Sequence, residues 1–225
     1  MPGITQQEFL ARVRAARGHE SVHWTHDNPA LGDPKPPEIA DPISHFLERA
    51  RNARMHPRRV ATKEAAADAV VEILAQKPVQ RLIRWSDPVL DALQVDDRLR
   101  KAGIEVVRWG DLTDAGKARE TAFTSQAGIG SADLAIAETG SLLVGAEPGR
   151  GRGVSLCPAT YIAVVPVDRV VRHLSQALAH VSQRLATAGR GQFVFVTGPS
   201  RTADIEMNLV TGVHGPEFVH IILLG

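Results

Sequence analysis

Three turns of this chain gather the residue types that bind or transform small anions. The first is Gly198-Pro199-Ser200-Arg201-Thr202-Ala203-Asp204-Ile205-Glu206, which follows the apolar run Gln192–Thr197. The pattern reads as a strand opening through a Gly-Pro turn into a helix over Thr202–Val210, with Ser200 as N-cap. Free backbone N–H groups and the positive end of a helix dipole then face the turn and suit an anion. Arg201 at the first helical position opposes that dipole by roughly 0.3–1 kcal/mol. Either Asp204, three residues on, or a bound phosphate or carboxylate compensates it. The second turn is Ala137-Glu138-Thr139-Gly140-Ser141. A glutamate at a strand tip can serve as nucleophile, base or metal ligand, and Gly140 permits a positive φ or close approach of a ligand. The plainer alternative is a tight hairpin with Glu138 exposed. The third turn, Gly212-Val213-His214-Gly215-Pro216, offers His214 as acid, base or anion donor. In an open α/β sheet, ligands bind at the carboxyl ends of the strands, and all three turns are expected there.

Other constellations carry less. His19-Glu20-Ser21-Val22-His23 matches H-E-x-x-H, with His26 three residues beyond. The zinc chemistry of that motif needs both histidines on one face of a long helix. Gly18 before it and Asp27-Asn28-Pro29 after it leave little room for one, so histidines in a loop are the preferred reading, with no metal assigned. Gly128-Ile129-Gly130-Ser131-Ala132-Asp133 is not a dinucleotide loop, because it leads into a strand rather than out of one. The stretch from Gly110 to Ala118 fails as a P-loop, with no Ser or Thr after Lys117. Gly149-Arg150-Gly151-Arg152-Gly153 is basic and glycine-rich; it can hold an anion, but a mobile loop is the favoured reading. The single cysteine, Cys157, excludes an internal disulfide and a cysteine-held zinc or iron–sulfur cluster, and reads as a small buried hydrophobe.

The elements that must position these turns alternate along the chain. Of the 225 residues, 44% are hydrophobic and 23% charged, enough for one large α/β domain with an extension. The net charge of +1 gives no field that favours nucleic acid or an anionic membrane. With no apolar run of spanning length and no secretory signal, the expected location is cytoplasmic, without membrane insertion. Residues 1–40 read as an N-terminal helix (Thr5–Ala16) and a proline-rich loop, and residues 41–225 as the α/β domain. Asp41 caps a helix from Pro42 to Met55, whose basic tail continues to Arg59; Thr62 caps Lys63–Gln76. Helices are expected over Pro88–Lys101, Ala118–Ser125 and, capped by Asp168, up to Ala188 before Gly189. Strands are expected at Val79–Trp85, Ile104–Trp109, Asp133–Ala137, Ser141–Gly145, Tyr161–Val165, Gln192–Thr197 and Phe218–Leu224. This order predicts a mostly parallel sheet with helices on both faces and at least one antiparallel hairpin near 133–165.

Taken in order, Ala137–Ser141, Gly198–Glu206 and Gly212–Pro216 resemble the lactate-utilization (LUD) domain, over roughly residues 40–225; Ser141 stands where that family commonly has Thr. The resemblance implies a fold similar to the sugar-phosphate isomerase and CoA-transferase group, shared also with formyltetrahydrofolate cyclo-ligase. It implies a part in oxidising L-lactate to pyruvate beside two partner proteins that resemble iron–sulfur electron carriers. This chain, with one cysteine, binds no such cluster, so its implied role is accessory or substrate-handling. The pocket expected from these motifs comprises Glu138, Thr139, Gly140, Gly198, Ser200, Arg201, Thr202, Asp204 and His214. The competing expectation is an autonomous transferase or isomerase acting on an anionic small molecule, with Glu138 as nucleophile or base.

Overall fold

The computed structural model describes residues 7, 8, 11, 12, 15, 36–188, 191–203, 209–212 and 214–225. Internal contacts divide the chain into Met1–Pro36 and Pro37–Gly225. Within the first unit, residues 7, 8, 11, 12 and 15 are helical; His19, His23 and His26 lie outside the described residues.

In the second unit the elements run α1 (Pro42–Asn52), β1 (His56–Val60), α2 (Lys63–Ala75), β2 (Arg81–Arg84), α3 (Pro88–Asp91), α4 (Asp96–Lys101), β3 (Glu105–Arg108) and α5 (Ala115–Thr124). There follow β4 (Ala127–Ser131), β5 (Leu134–Ile136), β6 (Ser141–Ala146), α6 (Gly153–Leu156), β7 (Thr160–Pro166), β8 (Val170–Val171), α7 (Leu174–Ala188), β9 (Gln192–Val196), β10 (Arg201–Ala203), β11 (Leu209–Thr211) and β12 (Phe218–Leu224). Six parallel strands form the main sheet, in the order β1-β12-β7-β4-β2-β3. Its inner strands are buried on both faces and read as apolar runs: Tyr161 to Val165 and Ile221 to Leu223 are fully enclosed. Each such Ile, Leu or Val contributes roughly 1.5–3 kcal/mol of transfer free energy. A second sheet, β8-β5-β6-β9, contains the expected antiparallel hairpin; Leu174, Ala177 and Val181 of α7 pack on its Ile136, Leu143 and Phe193.

Local signals set the first helices. Asp41 accepts from the amides of Ile43 (3.1 Å) and Ser44 (3.2 Å) ahead of Pro42, and Thr62 Oγ1 accepts from Ala65 N at 3.1 Å. Gly103 takes φ 84° after α4, as a helix stop requires.

Elsewhere through-space contacts override the local pattern. The basic tail of α1 is cut at Arg54, whose φ of 65° turns the chain, and His56–Val60 becomes edge strand β1 against β12. Pro57 is tolerated there because an edge strand has no partner on one side. The helix expected over Pro88–Lys101 is two, broken near Gln94 (φ 50°). Buried Arg84 holds both pieces by donating to Asp91 (2.9 Å) and Asp96 (2.8 Å). Asp168 caps no helix: it lies in a 3-10 turn before β8, and α7 begins only at Leu174. The stretch Gly128–Ser131 is itself part of β4 rather than a lead-in loop.

The largest correction concerns the helix expected after Ser200. Arg201–Ala203 and Leu209–Thr211 instead pair as an antiparallel two-stranded ribbon. β-branched Thr202, Val210 and Thr211 favour that extended geometry. Ser200 therefore caps no helix, and Arg201 faces no helix dipole. No helix among the described residues is long and apolar enough to cross a membrane.

Candidate functional site

The motif turns meet through hydroxyl and backbone contacts. The β5–β6 hairpin turn carries Gly140 at φ 69°, and a Cβ there would lie 2.6 Å from Ala50 N and from the Arg49 carbonyl carbon, so only glycine lets the turn rest on α1. Thr139 Oγ1 donates to Ser141 Oγ at 2.7 Å, and Ser141 Oγ shares a second 2.7 Å bond with Thr197 Oγ1. The β6–β9 pairing sets this chain of three hydroxyls, because Thr197 follows directly on the Leu142–Val196 register. Gly198 (φ 111°) then turns the backbone against Ala53 O. Ser200 N donates to Pro216 O (2.8 Å) and Gly212 N to Ser200 O (3.0 Å), which joins the first and third turns. Arg201 and His214 are exposed. The Arg201 guanidinium lies 3.7 Å from the position a Gly198 Cβ would take.

Thr139 thus belongs to one hydroxyl chain that Gly140 and Gly198 directly adjoin in sequence, with the Arg201 guanidinium near Gly198, while Ser200 bonds the Gly212–Pro216 turn. Glu138 is engaged elsewhere: its Oε2 accepts from Leu174 N at 2.9 Å and lies 3.7 Å from His173 Nδ1, so it caps α7. Asp204 and the side chain of Thr202 lie outside the described residues.

The turns occupy a different edge from the one expected. Glu217 N and Phe218 N both donate to Ala159 O, at the start of β12 and β7, and Gly198 abuts Ala53, just before β1. The Gly198–Ser200 and Gly212–Pro216 turns therefore border the amino ends of the parallel strands. Strand β9 pairs with β6 in the smaller sheet and with no strand of the main sheet, so its carboxyl end is not one of the main sheet's strand ends.

At the carboxyl ends of β2 and β4 stands an ionic cluster that sequence reasoning missed. Arg150 Nη1 donates to Asp133 Oδ1 (2.8 Å) and Glu147 Oε1 (2.9 Å), and its Nε lies 3.6 Å from Asp87 Oδ2. Its guanidinium stacks 4.6 Å from the Trp85 ring centroid. Asp87 also accepts from Ser131 Oγ (2.8 Å) and Val89 N (2.9 Å). Relative exposures of 7% for Arg150, 4% for Asp87 and 9% for Asp133 make this a buried network, not a mobile loop. Burial alone lowers the proton affinity of the guanidinium; Asp133 and Glu147 beside it reverse this and hold it above its ordinary value. Flanking glycines concealed the role of Arg150. The available signal was an aspartate soon after each of two parallel strands, at 87 and 133.

Among the described residues no group of three or more His, Cys, Asp or Glu is arranged to hold a metal. Cys157 is half-buried, and that burial pushes its thiol pKa up against the weaker opposing effect of Arg119, which disfavours the reactive thiolate.

Comparison with known proteins places this geometry in a family. A search by fold matches a DUF162 family protein from Deinococcus radiodurans, with TM-score 0.61 and 21% identity over 84% of this chain and all of that one. Lactate utilization protein C of Geobacillus sp. (strain WCH70) is 32% identical over 219 residues, covering 92% of this chain and 87% of that protein. Lactate utilization protein C of Halalkalibacterium halodurans is 37% identical over 150 residues, covering 66% of this chain and 64% of that protein. The LUD domain model matches residues 43–224, a span that includes all three motif turns and both sheets. The chain belongs to the LUD domain family.

Proposed function

We propose that this chain is the substrate-handling component of a lactate-utilization system, acting with iron–sulfur partners that carry the electrons of L-lactate oxidation to pyruvate. Two electrons and two protons must leave lactate in that reaction. A chain whose one cysteine is Cys157 offers no cysteine-ligated cluster to receive them. The similarity to proteins named lactate utilization protein C supports the pathway.

The observation that carries the site assignment is the Thr139–Ser141–Thr197 hydroxyl chain beside Gly198 and the exposed Arg201. Lactate and pyruvate share a carboxylate next to an oxygen substituent. A guanidinium fork matches the carboxylate, and a row of hydroxyls, each donor and acceptor, matches either a hydroxyl or a keto oxygen. Ser200 and the exposed His214 add polar groups from the adjoining turns, and Gly140 and Gly198 keep the backbone close.

Isothermal titration of the chain with L-lactate, pyruvate and a sugar phosphate tests this reading. Arg201→Ala is expected to weaken carboxylate binding at least about tenfold, the loss of one charge-assisted pair of roughly 1.5–3 kcal/mol. Its circular dichroism should match the parent, because Arg201 is exposed. Equal affinity in parent and variant would remove the pocket assignment.

A further inference from the structure

A cavity of about 350 Å³ opens between α1, β1, α2 and β12. His56 and His220 are register partners on β1 and β12, and their rings stack with centroids 4.9 Å apart and planes inclined by 27°. His220 Nε2 is buried with no hydrogen-bond partner among the described residues. Arg51 at the end of α1 and Arg58 on β1 line the same cavity, with Glu72 of α2 as its one acidic wall residue. Glu72 is already engaged by Arg58 through contacts of 2.6 and 3.1 Å. Lys77, whose Nζ sits 3.1 Å over the Phe218 ring, adds a further positive charge near His220. Two permanent cations, Arg51 and Arg58, against one carboxylate leave this wall net positive before either imidazole takes a proton, and Lys77 adds to the field at His220.

We infer that this cavity is an oxyanion site, built for a phosphate group, in which His56 and His220 present adjacent N–H donors and Arg51, unpaired among the described residues, supplies the guanidinium. Parallel-strand register sets the two rings side by side, so they can address two oxygens of one tetrahedral group. The cavity exceeds the size of free phosphate, so a phosphomonoester fits as well as the inorganic ion. The cavity shares no lining residue with the motif turns, and its assignment does not depend on the lactate reading.

Electrostatics give the site a pH signature. Burial, and then the charges of His56, Lys77 and Arg58, lower the His220 pKa to about 4. A bound dianion offsets those charges and favours protonated imidazole, so the liganded chain holds more protons than the free chain. Affinity therefore rises as pH falls below the ordinary imidazole range, by up to about tenfold per pH unit for each proton taken up.

The test is titration with sodium sulfate and inorganic phosphate at pH 5 and pH 8, followed by the imidazole Hε1 resonances of the full chain. Sulfate keeps its charge across this range, so its pH dependence reports the protein alone. A sugar phosphate and its unphosphorylated sugar form the second pair of ligands. Expected results are sulfate binding about tenfold or more tighter at pH 5 than at pH 8, a shift of two imidazole signals together, and loss of binding in His220→Gln. The exposed Arg51→Ala should bind at least about tenfold more weakly with unchanged circular dichroism, while Arg201→Ala should bind as the parent does. Preference for the sugar phosphate over the inorganic ion would assign the site to a phosphomonoester; the reverse preference assigns it to free phosphate. Absence of binding at millimolar anion, pH-independent sulfate binding, or binding untouched by both Arg51→Ala and His220→Gln would overturn the inference.

Discussion

Replacing Arg150 by methionine lowers the stability of the chain by about 3–5 kcal/mol. The substitution keeps much of the side-chain volume but removes the cation from a network in which Asp87 and Asp133 are both enclosed. Asp133 Oδ1 then loses its donor, Asp87 loses its nearest opposite charge, and Trp85 loses the guanidinium that packs over its ring. Uncompensated buried charge, not the value of any one hydrogen bond, dominates the cost. Arg184 supplies the internal contrast. It also bonds Glu147, at 2.8 Å, but both partners are more than a third exposed. Screening by solvent holds the loss in Arg184→Ala to about 1 kcal/mol or less. Urea denaturation of both variants checks the pair. An Arg150→Met protein within about 1 kcal/mol of the parent would mean that the cluster is hydrated and the burial argument is wrong.

Gly140→Ala is the second large effect, by a different mechanism. At φ 69° an alanine costs roughly 1–2 kcal/mol relative to glycine from backbone conformation alone. The added Cβ also meets the backbone of α1 at 2.6 Å, and a helix main chain cannot yield as a side-chain tip does. The hairpin must lift away from Arg49 and Ala50, and the Thr139–Ser141–Thr197 hydroxyl chain moves with it. A loss of about 2–4 kcal/mol is expected, together with weaker lactate binding in whatever fraction stays folded. Gly103→Ala isolates the backbone contribution. Gly103 has φ 84° but open space around it, so its penalty should stay near the conformational cost alone. Equal losses at the two glycines would show that contact with α1 contributes nothing.

What could be read from the chain alone was what local chemistry decides. Asp41 before Pro42, Thr62 before an alanine-rich run, and the apolar stretches at 161–165 and 219–223 each announce their element within a few residues. What could not be read depends on partners far away in the chain. The N-terminus of α7 is capped by Glu138, 36 residues before Leu174, and the nearer Asp168 has no such part. Strand β1, written His-Pro-Arg-Arg-Val, looks like a solvated helix tail until β12 arrives to pair with it. Arg150 looks mobile between glycines, yet those glycines let the loop close over Trp85 and Trp109. At the candidate site the motif residues were visible, and the joining of Thr139 and Ser141 to Thr197 follows from the β6–β9 pairing. The pairing of Arg201–Ala203 with Leu209–Thr211 and the edge of the sheet that the turns occupy were not, because both depend on which strands pair through space.

The proposed role stands or falls on electron transfer. The measurement is L-lactate-dependent reduction of an electron acceptor by the purified iron–sulfur partners, with and without this chain and with Arg201→Ala in its place. Rapid reduction is expected only when the parent chain is present, with little from Arg201→Ala and none from this chain alone. Equal rates with and without the chain would refute the substrate-handling role.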